Sequence, residues 1–152
     1  MNNIQLENII LKNDCLKKYV KGVYACNTLP ENVTNFPSAF IVNTDPIPKP
    51  GKHWVAIVMH SSSQIDYFDS LGQSPAKNND ISLFLQRYGR HVNFSRKKIQ
   101  SDESDLCGLY VLCFLYLRLC CKIVFFDVFK YFTDDVLMNE TFVYKFVQNF
   151  LK

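Results

Sequence analysis

The segment from Cys107 to about Lys122 is apolar on nearly every side, and it constrains the fold more than any other part of the chain. A helix without a polar face has to be surrounded by the rest of the protein. Arg118 and Lys122 interrupt the run, which leaves it short of the about 20 residues that a bilayer span needs. The segment therefore predicts a buried central helix in a protein that has no membrane partner.

The chain is long enough to bury such a helix within one domain. It has 152 residues, of which 48% are hydrophobic and 20% charged, and it shows no repeat or linker-like stretch. We therefore predict a single domain over residues 1–152. The N-terminus lacks the basic region and apolar stretch of a secretory signal, so we expect an intracellular protein.

Helical and strand-like patterns alternate along the rest of the chain. Apolar residues at helical spacing predict two short N-terminal helices, with Asn3 and Asp14 as caps and Gly22 as a stop. From Gly22 to Pro37 turn residues predict a loop. Further elements are predicted as strands at 39–44, 53–60 and 64–70, a helix ending at Gly89, an exposed or edge strand at 90–99, and an amphipathic C-terminal helix.

This order predicts an α+β fold, in which a small, mostly antiparallel sheet packs against the central helix and further helices flank it. The hairpin at its centre has Ser61 to Ser63 as its loop, so His60 pairs with Gln64. The register then places Leu71 opposite His53, with Asp69 as the diagonal neighbour on the same face. The side chain of Asp66 points to the opposite face of the sheet from that of Asp69, and we expect it to be exposed to solvent.

Cys107 lies where the polar run SDESD meets the apolar helix. A helix N-terminus lowers the pKa of a thiol and favours the nucleophilic thiolate. Ser104 or Asp105 can cap the helix, and Gly108 lets a substrate backbone approach its first turn. The alternative is that Cys107 is a small buried hydrophobic residue, the commonest fate of a free cysteine, and this is the interpretation that we prefer for Cys113, Cys120 and Cys121.

A catalytic cysteine needs an imidazole, and His53 stands at the mouth of the sheet. An acid beside it, Asp69 after a bend or bulge, would hold one tautomer of the ring and stabilise its charged form. The backbone N–H of Cys107 and the side-chain amide of Gln100 can supply donors to an oxyanion. Taken alone, Gln100 would be a surface glutamine.

Cysteine spacing gives no support to a metal site or a disulfide framework. The six cysteines, at positions 15, 26, 107, 113, 120 and 121, form no paired C-x-x-C motifs. We therefore expect no metal ligands, and we expect the thiols to be reduced.

The ordered set of motifs resembles the adenain-type cysteine proteases of adenoviruses and related DNA viruses and transposons, a clan that includes the proteases of ubiquitin-like proteins. The resemblance rests on FIVNT followed by GKHW, on YFDSLG, and on Gln100 seven residues before the cysteine of DLCGLYVLCF. It covers nearly the whole chain, and the order His, acid, Gln, Cys is that of the clan.

The resemblance implies a role for each matching residue. His53 would be the general base, Asp69 its orienting acid, Cys107 the nucleophile and Gln100 an oxyanion donor. Trp54 would shield the imidazole and line the substrate cleft with Gly108, although a role as a core aromatic is equally consistent with its position. The implied reaction is peptide-bond hydrolysis through an acyl-enzyme, at sites with small residues such as glycine.

The same resemblance implies partners. Polypeptide substrates such as capsid or core precursors would be cleaved in the host nucleus or cytoplasm and in the virion, by a monomer. In adenoviruses a short viral peptide activates the protease and is held by a disulfide to a cysteine that precedes the oxyanion glutamine. No cysteine lies between Cys26 and Cys107 here, so an activating peptide would have to bind without that disulfide. DNA is a second cofactor in adenoviruses, and the basic residues that would bind it here are Arg87, Arg90, Arg96, Lys97 and Lys98.

Three functions are compatible with these residues. The first is a maturation protease of a virus or transposon. The second is a deconjugating protease for a ubiquitin-like modifier, which has the same catalytic residues and a different substrate. The third is a non-catalytic binding module that has kept the fold, and the presence of all four predicted catalytic residues is evidence against it.

Overall fold

The computed structural model describes residues 1–89 and 91–151. The helices are α1 (Asn3–Lys12), α2 (Asp14–Tyr19), α3 (Asn79–Tyr88), α4 (Cys107–Leu115), α5 (Phe125–Val128) and α6 (Val136–Phe150). The strands are β1 (Val20–Ala25), β2 (Ser38–Asn43), β3 (Trp54–Met59), β4 (Gln64–Phe68) and β5 (His91–Asn93).

The five strands form one sheet in the order β1-β2-β3-β4-β5. Its two inner pairings, β2 with β3 and β3 with β4, are antiparallel, and its two outer pairings are parallel. The backbone N–H of His60 donates to the carbonyl of Gln64 at 2.9 Å, which confirms the predicted hairpin register. The α+β class is likewise confirmed.

Helices cover both faces of the sheet. On one face Ala56, Val58 and Phe68 belong to a core cluster that includes residues of α4, α1 and α6, and on the other Val55 and Ile57 belong to a second cluster that includes residues of α3. Every residue of β3 is therefore buried, as expected for a strand whose two faces are both covered. The continuous apolar run in β3 reflects this central position.

Helix α4 is the buried central helix that its composition predicts. All nine of its residues are buried, and the ring of Phe114 stacks on that of Phe68 with centroids 4.4 Å apart. The helix continues as a π-helical turn over Tyr116–Cys120. An inserted turn of this kind changes which side chains face the core, and here Cys121 emerges exposed while Cys113 stays buried.

Two predictions about the N-terminal region were wrong. The helix caps are Asn2 and Asn13, whose side chains accept from the backbone N–H groups of Gln5 and Leu16, instead of Asn3 and Asp14. The second helix also ends at Tyr19 instead of at Gly22, and residues Val20–Ala25 form the edge strand β1 where a loop was predicted to begin. This strand is stabilised by pairing with β2, a long-range contact that local turn residues do not reveal.

The predicted strand over residues 90–99 is much shorter. Only His91–Asn93 pairs, in parallel with β4, and Arg90 lies outside the described residues. The segment that follows is instead held by one carbonyl, that of Ser70, which accepts from the backbone N–H groups of Ile99 at 2.9 Å and Gln100 at 3.1 Å. The turn after β4 thereby sets the position of Gln100.

The expectation that all thiols are reduced was also wrong. Cys15 and Cys120 form a disulfide with Cα atoms 6.0 Å apart, a separation within the normal range for such a bond. Helix α2 packs against the π-helical turn, and this tertiary contact brings together two residues that are 105 positions apart. The disulfide ties the N-terminal region to the far end of the central helix.

Asp66 was expected to be exposed, but it is fully buried. Its carboxylate accepts from Arg118 Nε at 2.8 Å, lies 2.6 Å from His60 Nε2 and also accepts from Asn93 Nδ2 at 3.0 Å. Burial alone would raise the pKa of Asp66, but these partners hold it below its usual range. The ion pair joins β4 to the π-helical turn and anchors the far end of the central helix.

We predict that Arg118→Met destabilises the protein by about 3–5 kcal/mol, because it leaves the buried charge of Asp66 without its guanidinium partner. Urea unfolding followed by circular dichroism measures this change. Lys17→Met is the control, since it removes an exposed pair with Asp14, and it should leave the unfolding midpoint unchanged. Equal midpoints for the two variants would show that Arg118 does not anchor the helix.

Candidate active site

His53 and Asp69 are in direct contact. His53 immediately precedes β3 and Asp69 immediately follows β4, and the Nε2 atom of the imidazole lies 2.7 Å from Oδ1 of the carboxylate. Only 10% of the His53 side chain and 4% of the Asp69 side chain are exposed. The antiparallel register places the two residues at the same end of the sheet, where each strand has just ended.

A tight turn after β4 positions the Asp69 carboxylate against the His53 imidazole. The backbone N–H of Leu71 donates to Asp69 Oδ1 at 2.8 Å, and the N–H of Gly72 donates to the Asp69 carbonyl at 3.0 Å. Gly72 has φ of +70°, a conformation that glycine adopts at little cost. The turn fixes the carboxylate toward the ring, which is the bend that the sequence left open.

Cys107 is the first residue of α4 and places its thiol beside the imidazole of His53, which also lies against Asp69. The predicted caps were wrong, because the N-cap residue is Leu106 and no side chain of Ser104 or Asp105 caps the helix. The Ser104 hydroxyl instead accepts from the N–H of Leu106 at 3.3 Å. The helix therefore begins at Cys107 without a side-chain cap.

The electrostatics of the site favour a charged pair. Burial alone would lower the pKa of His53, but hydrogen bonds with Asp69 and Cys107 raise it from 6.5 to about 9. Burial would raise the pKa of Cys107, yet its contacts with the imidazole and with the backbone N–H groups of Trp54 and Gly108 lower it. Both shifts favour the thiolate and imidazolium over the neutral forms.

Gln100 is buried next to this pair and is oriented at both ends of its amide. The Ser70 hydroxyl donates to Gln100 Oε1 at 2.5 Å, and Gln100 Nε2 donates to the carbonyl of Ser104 at 2.9 Å. The amide nitrogen has a second hydrogen, and the side chain lines the same cleft as Cys107. Sequence reasoning missed Ser70, whose only signal is its place directly after the acid.

Trp54 lines the cleft and also packs in the core, so both predicted roles are compatible with its position. It is 5% exposed, and its indole N–H donates to the carbonyl of Met1 at 3.0 Å. Gly108 packs against residue Met1, and its predicted contact with substrate stays a prediction. A methyl group added at Gly108 would lie 3.2 Å from both Cβ and Sδ of Met1, so this space is occupied by the protein's own N-terminal segment.

The candidate catalytic residues open onto a cleft of about 420 Å³. Its lining includes His53, Trp54, Gln100 and Cys107 together with residues 1–3. Across residues 1–89 and 91–151, no group of three His, Cys, Asp or Glu side chains could hold a metal ion. Within the same residues, no helix is long and apolar enough to cross a membrane.

Four of the five residues predicted to bind DNA have contacts within the described part of the protein. Lys97 Nζ donates to the carbonyl of Phe132 at 3.0 Å, and Lys98 pairs with Asp102. The other contacts are those of Arg87 with the Glu31 carbonyl and of Arg96 with the ring of Phe94, while Arg90 is outside the described residues. Only part of this basic charge is therefore free for phosphate groups, and DNA binding stays a prediction.

Comparison with known proteins supports the predicted resemblance to thiol proteases. No family model matches the chain. A protein of Acanthamoeba polyphaga mimivirus, named as a candidate thiol protease, is 35% identical over 81 residues, which cover 47% of this chain and 26% of that protein. The chain thus spans about a quarter of the length of the curated relative that it matches.

The chain also matches two solved structures. ChlaDub1 from Chlamydia trachomatis matches with a TM-score of 0.53 and 17% identity, over 97% of this chain and 78% of that chain. A protease of ASFV matches with a TM-score of 0.46 and 25% identity, over 75% of this chain and 44% of that chain. The ChlaDub1 likeness extends over nearly the whole chain and agrees with the α+β fold.

We predict that iodoacetamide at neutral pH alkylates Cys107 faster than the exposed Cys121, because the imidazolium of His53 lowers the pKa of the Cys107 thiol and so favours its thiolate. Replacing His53 with Ala removes that charge, and the Cys107 rate should fall about tenfold or more. Peptide mapping by mass spectrometry gives both rates in one sample. A Cys107 rate that is independent of His53 would contradict the ion pair.

Proposed function

We propose that the chain is a cysteine endopeptidase that hydrolyses peptide bonds through a thiol acyl-enzyme. The observation that carries this proposal is the position of His53, which lies between the carboxylate of Asp69 and the thiol of Cys107. Nucleophile, base and orienting acid are the three groups that acyl transfer by a cysteine needs. The sequence likeness to a candidate thiol protease supports the same activity.

In the proposed reaction, the thiolate of Cys107 attacks the carbonyl carbon of the scissile bond. The negative charge moves to the carbonyl oxygen, which accepts hydrogen bonds from the second amide hydrogen of Gln100 and from the backbone N–H of Cys107. As the intermediate collapses, the C–N bond breaks and the imidazolium of His53 gives its proton to the leaving amine. This step leaves the acyl group on sulfur as a thioester.

Water then completes the cycle. Neutral His53 removes a proton from a water molecule, the resulting hydroxide attacks the thioester, and Cys107 leaves as the thiolate. Asp69 accepts a hydrogen bond from the imidazole throughout, and it stabilises the ring each time the ring becomes charged. The backbone N–H of Leu71 fixes the position of Asp69 Oδ1, and the contact of this oxygen with His53 keeps the imidazole ring in one orientation.

For the substrate, we propose capsid or core precursors of a virus or transposon, cleaved at sites that contain glycine. The match to a mimivirus protein supports a viral setting, and with it an intracellular location in infected cells and in the virion. Activation by viral DNA, or by a peptide held without a disulfide, belongs to the same proposal. A protein that cleaves precursors in this way needs no partner subunit, and we propose a monomer.

The first experiment replaces the nucleophile. Purified protein is assayed on fluorogenic peptides that end in Gly-Gly-aminomethylcoumarin and on fusions of a ubiquitin-like protein. We predict cleavage of the peptides by the native chain and none by Cys107→Ala, because no other described thiol lies beside a histidine and acid pair. Cys121→Ala is the matched control and should keep full activity, while cleavage by Cys107→Ala would overturn the assignment. Cleavage of the fusions alone would favour a deconjugating protease.

The second experiment tests the acid by comparing two identical substitutions near one strand. Asp69→Asn should lower kcat/KM by about 100-fold. Asp66→Asn should mainly lower the stability of the protein, and the kcat/KM of its folded fraction should fall much less. The carboxylate of Asp69 and the Cys107 thiolate together raise the pKa of His53 to about 9, so the imidazolium is lost only as pH rises through that value. The alkaline limb of kcat/KM should therefore move to lower pH in Asp69→Asn. An unmoved limb would place the orienting acid elsewhere.

A further inference from the structure

The N-terminal segment of the chain, Met1 to Asn3, forms part of the catalytic cleft. All three residues line it together with His53 and Cys107. Nothing in the catalytic roles described above uses this segment. Its position is nevertheless fixed by specific contacts, which makes it a defined surface for whatever enters the cleft.

Two contacts hold Met1 against the residues that follow the base and the nucleophile. The carbonyl of Met1 accepts the indole N–H of Trp54, the residue next to His53, at 3.0 Å. On the other side, the Met1 side chain packs on Gly108, the residue next to Cys107, where an added methyl group would approach its Cβ and Sδ to 3.2 Å. Glycine at position 108 therefore makes room for Met1.

Helix α1 keeps the segment in place. Asn2 caps this helix in a reciprocal arrangement with Gln5, in which each side chain accepts from the other residue's backbone N–H at 3.0 and 2.9 Å. One turn further on, Leu6 is fully buried and its Cδ2 atom lies 3.4 Å from the same added methyl position at Gly108. The cap and the buried leucine fix the direction in which the chain enters the cleft.

We propose that Met1 is a specificity-determining residue, whose side chain sets the size of the group that the cleft accepts beside Cys107. This inference rests on the proposed function for its biological meaning, because the group selected is the substrate residue next to the scissile bond. Met1 is partly buried and apolar, so it limits volume without supplying charge. The substrate class that it favours has small side chains at that residue, and bulky ones are excluded by contact with the thioether.

The test measures access to Cys107 with two alkylating probes that share one reactive carbon and differ in bulk, chloroacetamide and N-benzhydryl chloroacetamide. Position 1 is varied behind a cleavable leader, and the native chain is prepared in the same way. Met1→Ala should raise the rate for the bulky probe relative to the small probe by about 10-fold. Met1→Leu, which has a similar volume, should keep the native ratio.

Ile4→Ala, in the helix α1 that follows Met1, is the control, because Ile4 is 68% exposed and does not line the cleft. Its ratio should equal that of the native chain. A ratio that is unchanged in Met1→Ala would overturn the proposal. This includes the case in which both probe rates rise by the same factor, which would indicate a general loosening of the site. The small probe also reports whether the variant retains a reactive thiol.

A peptide assay separates this proposal from the proposed function. Met1→Ala should raise kcat/KM for a coumarin amide ending in Gly-Leu relative to the one ending in Gly-Gly. A shifted probe ratio in a protein that cleaves neither peptide would support the role of Met1 and overturn the protease assignment. If Met1→Ala cleaves the peptides normally and changes neither the probe ratio nor the ratio of kcat/KM for the two peptides, the protease assignment is supported and the role of Met1 is overturned.

Discussion

Two contacts between a histidine and an aspartate, one toward each end of the β3-β4 hairpin, hold strands β3 and β4 and the central helix together. At one end His53 and Asp69 are in contact beside Cys107, and at the other His60 and Asp66 are in contact beside Arg118. Cys107 starts the central helix and Arg118 lies in the π-helical turn that extends it. The position of the thiol therefore depends on the packing of the whole helix against the hairpin, and the buried ion pair at Arg118 helps to fix it.

Each of these buried carboxylates accepts hydrogen bonds from more than one donor, which compensates for its removal from water. Asp66 has Arg118, His60 and Asn93, while Asp69 has His53 and the backbone N–H of Leu71. A buried carboxylate without partners would be costly at such a site, and the two or three hydrogen bonds that each of these accepts offset that cost. The two ends differ in their third member. A guanidinium there gives a structural anchor, and a thiol gives a group that can react.

Local patterns predicted the parts of the fold that depend on local chemistry. The apolar run at Cys107 predicted a buried helix, and the short serine loop predicted a register that puts Asp69 near His53. Gln100 was found by its spacing before Cys107, and the structure buries it in the same cleft. These inferences succeeded because side-chain periodicity and hairpin geometry are set within a few residues.

What could not be predicted depends on contacts between distant segments. Strand β1 exists because it pairs with β2, and Cys15 meets Cys120 because α2 packs on the π-helical turn. The burial of Asp66 depends on Arg118, 52 positions away, and the place of Met1 depends on a glycine that appeared to be open to substrate. Parity and local composition carry no information about such partners.

The central claim is that Cys107 carries the acyl group during peptide hydrolysis. The most direct measurement is intact-mass and peptide-mapping mass spectrometry of protein mixed with a Gly-Gly peptide ester and quenched in acid, where a thioester survives. The account predicts one acyl adduct per chain, located on Cys107 and absent from Cys107→Ala. An adduct on another cysteine, or turnover of the ester with no adduct on Cys107 at any quench time, would contradict it.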